Sequence, residues 1–317
     1  MRGKTTTDRI IRIGTRGSKL AMWQAEHVAS LARASGYDTE IIPITTRGDT
    51  LLDVAISKIG SKGVFTEEIE QGLLDGSIDI AVHSAKDLSS TLPEDLEIIA
   101  FTEREKPNDV VISLNPSFNL QNESIVVGTS STRRVAFMRH FYPHAKIVPA
   151  RGNLQTRLQK MKDGNFDALV LAYAGVHRSG YDEFIVEEIA TSYFVPAVGQ
   201  GTIAVECHRK LDYEKKAAIT QWVNDPTTEI CARTERAFLK TIEGGCSIPV
   251  FGYARAKGDI VTLKAGIISL DGKRVVKVKR SAPASEAKEL GRGVAADVLS
   301  QGGKEILEEI RNNLGPA

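Results

Sequence analysis

The chain has 317 residues, 42% of them hydrophobic and 26% charged, with 41 Lys+Arg against 40 Asp+Glu and a net charge of +1. That length suits two or three domains, and that composition excludes disordered and low-complexity classes. Balanced charge excludes wholesale binding to nucleic acid or an anionic membrane, and the longest strongly apolar run, residues 168–176, is far short of the roughly 20 residues that span a bilayer.

The polar stretch 1–10 reads as no secretory signal. Three cysteines with no CxxC spacing suit a reducing cytosol rather than a disulfide framework or a zinc site. In chain order, residues 11–14 read as a strand, 20–34 as an amphipathic helix, 40–45 as a strand and 66–74 as a helix. Residues 79–83 form a strand whose continuous apolar character predicts burial on both faces. Strand–helix alternation predicts parallel sheets with helices on their faces.

The marks then repeat. Ile11-Arg12-Ile13-Gly14-Thr15 is echoed by Ile125-Val126-Val127-Gly128-Thr129. Ile41-Ile42-Pro43 followed by Arg47-Gly48-Asp49 is echoed by Ile147-Val148-Pro149 followed by Arg151-Gly152-Asn153. Asp75-Gly76-Ser77-Ile78-Asp79 is echoed by Asp163-Gly164-Asn165-Phe166-Asp167. Three echoes in one order predict two similarly built α/β domains, joined near residues 102–108. Open α/β sheets bind ligands beyond their strand C-ends, so two such domains would share a cleft.

After Asp225-Pro226 the pattern changes. Residues 227–242 read as a helix, 250–256, 261–268 and 274–281 as antiparallel strands, and 284–300 and 303–313 as helices. Lys257-Gly258-Asp259 and Asp271-Gly272-Lys273 are the turns. This is a small third α+β domain.

Arginine clusters stand at strand-to-helix junctions. Gly128-Thr129-Ser130-Ser131-Thr132-Arg133-Arg134 brings hydroxyls, backbone N–H groups, a helix dipole and two forked guanidiniums together, which suits an anion. Arg151 and Arg157 stand at a second junction, and Thr15-Arg16-Gly17-Ser18-Lys19 at a third. Carboxylates fit such a site as well as phosphates. His83-Ser84-Ala85-Lys86-Asp87 ends the buried strand; Asp87 there is either an acid or base beside the cleft, or a helix cap paired with Lys86. The basic loop Gly60-Ser61-Lys62-Gly63 is a lid or a plain turn. Gly244-Gly245-Cys246 places a thiol on a glycine loop, which reads either as an exposed, reactive thiol or as a loop residue without function, whereas Cys207 and Cys231 read as packing residues. Two signals fail: Gly199-Gln200-Gly201-Thr202-Ile203-Ala204 is followed by a strand rather than the helix a dinucleotide site needs, and Pro143 breaks the helix between His140 and His144. No metal site is expected.

From about Ile11 to the C-terminus the sequence resembles the hydroxymethylbilane synthases, or porphobilinogen deaminases. The resemblance rests on Gly14-Thr15-Arg16-Gly17-Ser18-Lys19-Leu20-Ala21, Thr46-Arg47-Gly48-Asp49, Gly63-Val64-Phe65, His83-Ser84-Ala85-Lys86-Asp87, the run from Gly128 to Arg134, Arg151-Gly152-Asn153, Pro196-Ala197-Val198-Gly199-Gln200-Gly201 and Gly244-Gly245-Cys246. It implies a cytoplasmic, monomeric transferase of tetrapyrrole (porphyrin and haem) biosynthesis. Such enzymes join four porphobilinogen units head to tail, lose ammonia at each step and release hydroxymethylbilane. No nucleic acid or membrane partner is implied. The implied fold has two α/β domains like those of periplasmic binding proteins around a cleft, plus a C-terminal α+β domain with a three-stranded antiparallel sheet. Its implied boundaries are 8–103 plus about 201–222, 107–197 and 225–317.

The resemblance also implies a dipyrromethane cofactor held by a thioether to Cys246. Lys62, Ser84, Asp87, Thr129, Ser130, Ser131, Arg133, Arg134, Arg157 and Gln200 would bind it. Arg16, Ser18, Gln24, Arg151, Arg157 and Arg178 would bind substrate carboxylates, with Asp87 and Lys86 catalytic. The loop 57–65, a lid or a plain turn, is left open by the resemblance. Thr132, Ser89-Ser90 and His177 depart from the family pattern without removing a catalytic group. The rival is a two-domain polyanion or solute-binding protein without catalysis, which has no use for Cys246.

Overall fold

The computed structural model describes residues 9–50, 65–245 and 247–314. They divide into two compact units, one of 9–50, 65–104 and 202–229, the other of 105–201 and 230–314.

The first unit opens with β1 (Ile10–Arg16), α1 (Lys19–Arg33), β2 (Asp38–Ile44), the one-turn α2 (Arg47–Thr50), α3 (Glu67–Leu74), β3 (Ile80–Ser84) and β4 (Leu96–Phe101). It is completed by β10 (Ile203–His208) and α7 (Tyr213–Val223). Helix α1 starts where it does because Ser18 Oγ accepts the Ala21 N–H at 3.3 Å, a cap of about 1 kcal/mol. Ala25, Val28, Ala29 and Ala32 recur at helical spacing and bury its inner face against Ile11, Ile13 and Val82. Strand order is β2-β1-β3-β10-β4.

The second unit runs β5 (Asp109–Ser113), β6 (Val126–Gly128), α4 (Thr132–Phe141), β7 (Lys146–Val148), α5 (Leu154–Lys162), β8 (Ala168–Ala172), α6 (Tyr173–Arg178) and β9 (Ile185–Glu188). Its strand order is β7-β6-β8-β5-β9. The two sheets therefore match position by position. The match reaches single hydrogen bonds. Asp79 N–H donates to Arg12 O, and Asp167 N–H to Val126 O, both at 2.9 Å. Each carboxylate returns the bond, taking the Arg12 amide at 2.8 Å and the Val126 amide at 2.7 Å. Glycines stand at both Gly14 and Gly128 because a Cβ would come 2.3 Å from Ile78 in the first unit and 2.9 Å from Leu169 in the second.

The sheets are mixed rather than wholly parallel, which corrects the expectation from strand–helix alternation. In each, the fourth strand runs against its neighbours: β10 is antiparallel to β3 and β4, and β5 to β8 and β9. These are the first strands after the chain passes from one unit to the other.

The C-terminal layer comprises α8 (Pro226–Thr241), the antiparallel meander β11 (Val250–Lys257), β12 (Ile260–Ile268) and β13 (Val275–Pro283), then α9 (Ala287–Val298) and α10 (Lys304–Leu314). Asp225 caps α8 through the Thr228 N–H at 2.6 Å, with Pro226 in its first turn. Ala254, Val261, Leu263 and Ala265 of the sheet meet Phe238, Leu290, Val294 and Ile306 of the helices in a separate core. Phe251 also reaches the second sheet's helices, its ring centroid 5.0 Å from that of Phe137. Between α9 and α10 the backbone breaks at Gly302, φ +103°, a left-handed value that suits glycine.

Candidate active site

In the first unit, β3 ends at Ser84 and a single 3₁₀ turn, Ala85–Asp87, follows. The turn is short because it begins at the strand's last hydrogen bond and Leu88 returns to extended backbone. Asp87 is exposed on it, and its carboxylate makes no hydrogen bond or ion pair among the described residues. Lys86 beside it is half-buried. Ser84 is fixed by Gln24 of α1, whose amide donates to Ser84 Oγ at 2.9 Å. At the end of β1, Arg16 forks onto Asp49 and stacks over Phe65, 4.3 Å from the ring centroid. Burial pushes the Asp49 carboxyl up; hydrogen bonds from Arg16 and Thr46 overcome this and hold it below the usual range. Ser18 is committed to capping α1.

In the second unit, the β6–α4 junction turns Arg133 and Arg134 inward. Both are buried, at 4% and 7% exposure, and both bind Asp109, which is fully buried. Arg133 donates to the two carboxylate oxygens at 2.7 and 3.1 Å, and Arg134 Nε to one at 2.8 Å. Gln200 joins them, donating to Asp109 at 3.1 Å and accepting from Arg134 at 3.3 Å. Burial alone would raise the Asp109 carboxyl, but the two guanidiniums win and hold it at about 2. Two guanidiniums thus share one buried carboxylate, and Arg133 Nε is a buried donor with no acceptor among the described residues. Thr129 is buried, while Ser130 is exposed with its hydroxyl on Ala150 O at 3.0 Å, and Ser131 is half-buried. Arg151 and Arg157 are half-buried at the β7–α5 junction, where Arg157 Nε donates to Gly152 O at 2.8 Å. Arg178, at the end of α6, donates to Gly201 O at 2.9 Å; burial lowers its guanidinium and nearby Glu105 opposes this.

The structure thus groups Arg133, Arg134 and Gln200 directly, and joins Gln24 to Ser84. Lys62, Cys246 and residues 57–64 of the 57–65 loop lie outside the described residues. Among the described residues no three or more His, Cys, Asp or Glu side chains are arranged to hold a metal ion, and no helix is long and apolar enough to cross a membrane. Sequence reasoning missed Asp109 altogether. Its signal was a lone carboxylate heading the apolar run Val110-Val111-Ile112, a place where charge is costly without partners.

Residues 11–216 match the family model described as porphobilinogen deaminase, dipyromethane cofactor binding domain, and residues 229–300 match porphobilinogen deaminase, C-terminal domain. The chain belongs to the porphobilinogen deaminase family. A porphobilinogen deaminase from Desulfosudis oleivorans is 52% identical over 95% of this chain and 98% of its own. One from Cytophaga hutchinsonii is 51% identical over 97% and 99%, and one from Syntrophomonas wolfei 45% over 96% and 99%. A periplasmic substrate-binding protein of an ABC transporter from Coxiella burnetii is similar in structure, with TM-score 0.43 and 11% identity over 68% of this chain and 92% of that one.

Proposed function

We propose that this chain is a transferase that joins four porphobilinogen units head to tail into hydroxymethylbilane, losing ammonia at each junction, in tetrapyrrole biosynthesis. The match of both parts of the chain to one enzyme family carries this reading. Relatives named as deaminases over nearly their whole length leave the solute-binding alternative unfavoured.

Each pyrrole unit bears an acetate and a propionate, so substrate, chain and cofactor are polycarboxylates. The residues present fit such a group: Arg133 and Arg134 side by side at one strand-to-helix junction, with Arg133 Nε lacking an acceptor among the described residues, and further arginines at other strand ends. Arg133, Arg134, Arg157 and Gln200, with Thr129, Ser130 and Ser131, would hold the dipyrromethane, together with Ser84, Asp87 and Lys62. Arg16, Ser18, Gln24, Arg151, Arg157 and Arg178 would orient substrate. When bound, the dipyrromethane supplies the pyrrole carbon on which the chain grows. As ammonia leaves porphobilinogen, positive charge spreads into its pyrrole ring; the exposed Asp87 carboxylate accepts the pyrrole N–H and stabilises that charge. Asp87 and Lys86 then move the proton released when the new bond forms.

Cys246 is the proposed attachment point. Of the three cysteines, Cys207 and Cys231 are buried, and burial pushes the Cys207 thiol up to about 12, which disfavours its thiolate. We place the enzyme in the cytoplasm as a monomer. The test is to incubate purified chain with porphobilinogen, measure ammonia and product, and record an intact mass. One ammonia per unit consumed and a two-pyrrole adduct are expected. The adduct should vanish in Cys246→Ser and survive in Cys207→Ser and Cys231→Ser. Tight binding with no ammonia released would restore the solute-binding reading.

A further inference from the structure

Two buried ionisable side chains of the first unit have no part in the chemistry above. His83 of β3 is 6% exposed and Glu206 of β10 is fully buried. His83 Nε2 lies 3.3 Å from a Glu206 oxygen, yet neither that nitrogen nor either Glu206 oxygen has a hydrogen-bond partner of good geometry among the described residues. His83 pairs with Ala204 and Glu206 with Ala81, so both side chains leave one face of the sheet. Helix α3 packs on β3 and β10 there. It also carries the half-buried Glu70, whose carboxyl burial pushes up against an opposing hydrogen bond from Thr66.

Burying polar side chains without hydrogen-bond partners costs stability. The repeated unit supplies an internal control. The register that sets His83 opposite Ala204 and Glu206 opposite Ala81 sets Leu171 opposite Val110 and Ile112 opposite Leu169 in the second unit. Leu171 and Ile112 are buried and apolar. The same sheet therefore folds with hydrocarbon at both positions. The acid–base pair stands only in the unit that bears Asp87, on the strand that leads to it, four residues away.

We propose that His83 and Glu206 act as positioning residues for Asp87, holding the C-end of β3 beside β10 through the 3.3 Å approach of imidazole and carboxylate. This rests on the reading of Asp87 as the carboxylate that faces the developing cation. Apolar packing is non-directional, whereas an imidazole and a carboxylate in contact favour one placement of the two strands, and a shift of order 1 Å at a reacting group costs roughly a hundredfold in rate.

The test copies the second unit into the first: His83→Leu with Glu206→Ile, on cofactor-loaded protein. The expected result is an unchanged adduct mass, an equal or higher Tm, kcat down by about tenfold or more, and KM within about threefold. Glu206→Gln keeps the shape and an acceptor for the imidazole N–H, and should recover most of the lost kcat. Packing alone would give no such rescue. Wild-type kcat in the double variant overturns the proposal, as does a Glu206→Gln variant no better than the double one. A double variant that fails to fold overturns the premise that the fold does not need these charges. Asp87→Asn is measured alongside. If it turns over within about threefold of wild type, the reading of Asp87 fails; if it is crippled while the double variant is not, only this inference does.

Discussion

The two α/β units share a topology and even individual backbone hydrogen bonds, but they bury different polar groups. Where β5 of the second unit begins with Asp109, gripped by Arg133 and Arg134, the matching position on β10 is Ile203. Where β3 and β10 bury His83 and Glu206, the second unit has Leu171 and Ile112. After β2 comes Asp49, a carboxylate that neutralises Arg16; after β7 comes Asn153, an amide that caps α5 through the Thr156 N–H at 2.9 Å. After β3 comes a single turn with Asp87, and after β8 a helix ending in Arg178. One scaffold has thus been filled twice with different polar groups at matching strand ends. On the proposed function, the second unit supplies most of the arginines that grip carboxylates, and the first supplies the acid–base group together with Arg16.

The sharpest way to break this division is to remove Asp109. Asp109→Ala would leave two guanidiniums buried without their shared partner, at about 3–5 kcal/mol. We expect the second unit to lose cooperative unfolding by calorimetry while the first retains it. The same pair gives a pH signature. A folded carboxyl at about 2 against an ordinary 3.8 is depressed, so its contribution is complete above roughly pH 4 and lost as pH falls through about 2. That contribution is about 2 kcal/mol, read from acid unfolding of wild type. A stability flat from pH 5 to 2 would contradict the pairing.

Asp87→Asn should spare stability, since the side chain is exposed, and instead lower turnover by about a hundredfold with a smaller change in KM. Single-turnover ammonia release on loaded protein measures it. Arg134→Leu should cost less than Asp109→Ala, about 1.5–3 kcal/mol for the lost charge-assisted bond, because Arg133 keeps Asp109 paired. Its expected outcome is mainly apo-protein by intact mass. Normal loading would remove the second unit's arginines from the cofactor site.

The repeat was legible in the sequence because backbone geometry demands its marks. Gly76 and Gly164 hold φ values of +75° and +78°, and Gly14 and Gly128 leave no room for a side chain. Arg133 and Arg134 were visible as charges at a strand–helix junction. Their partner was not, because Asp109 reaches them across the sheet from a strand 24 residues earlier in the chain and no local period records such a contact. The direction of β5 and β10 was hidden for a similar reason: a fully buried strand has the same apolar run whichever way it points. His83 was read within its motif, but Glu206 lies 123 residues later, inside the apolar stretch from Ile203 to Cys207 that reads as core.

The smallest expected effect tests how far the equivalence of the units extends. Asp79 and Asp167 accept the same backbone amide, so that bond alone cannot distinguish them. Asp79 also receives the Arg12 guanidinium at 3.1 and 3.2 Å and Lys215 Nζ at 3.2 Å, and it is nearly buried, whereas Asp167 is exposed. Burial raises the Asp79 carboxyl, and Arg12 and Lys215 bring it below its ordinary value. Asp79→Asn keeps an acceptor for the amide and loses only the ionic partners, so it should cost about 1.5–3 kcal/mol. Asp167→Asn loses little beyond the strength of one bond to a charged acceptor, about 0.5–1 kcal/mol. Denaturant titration of both variants, compared at pH 7 and pH 3, separates the two cases. The Asp79 penalty should shrink as acid protonates wild-type Asp79, because its depressed carboxyl contributes only above that transition. Equal penalties at pH 7 would mean that the backbone bond dominates and that Arg12 and Lys215 add nothing.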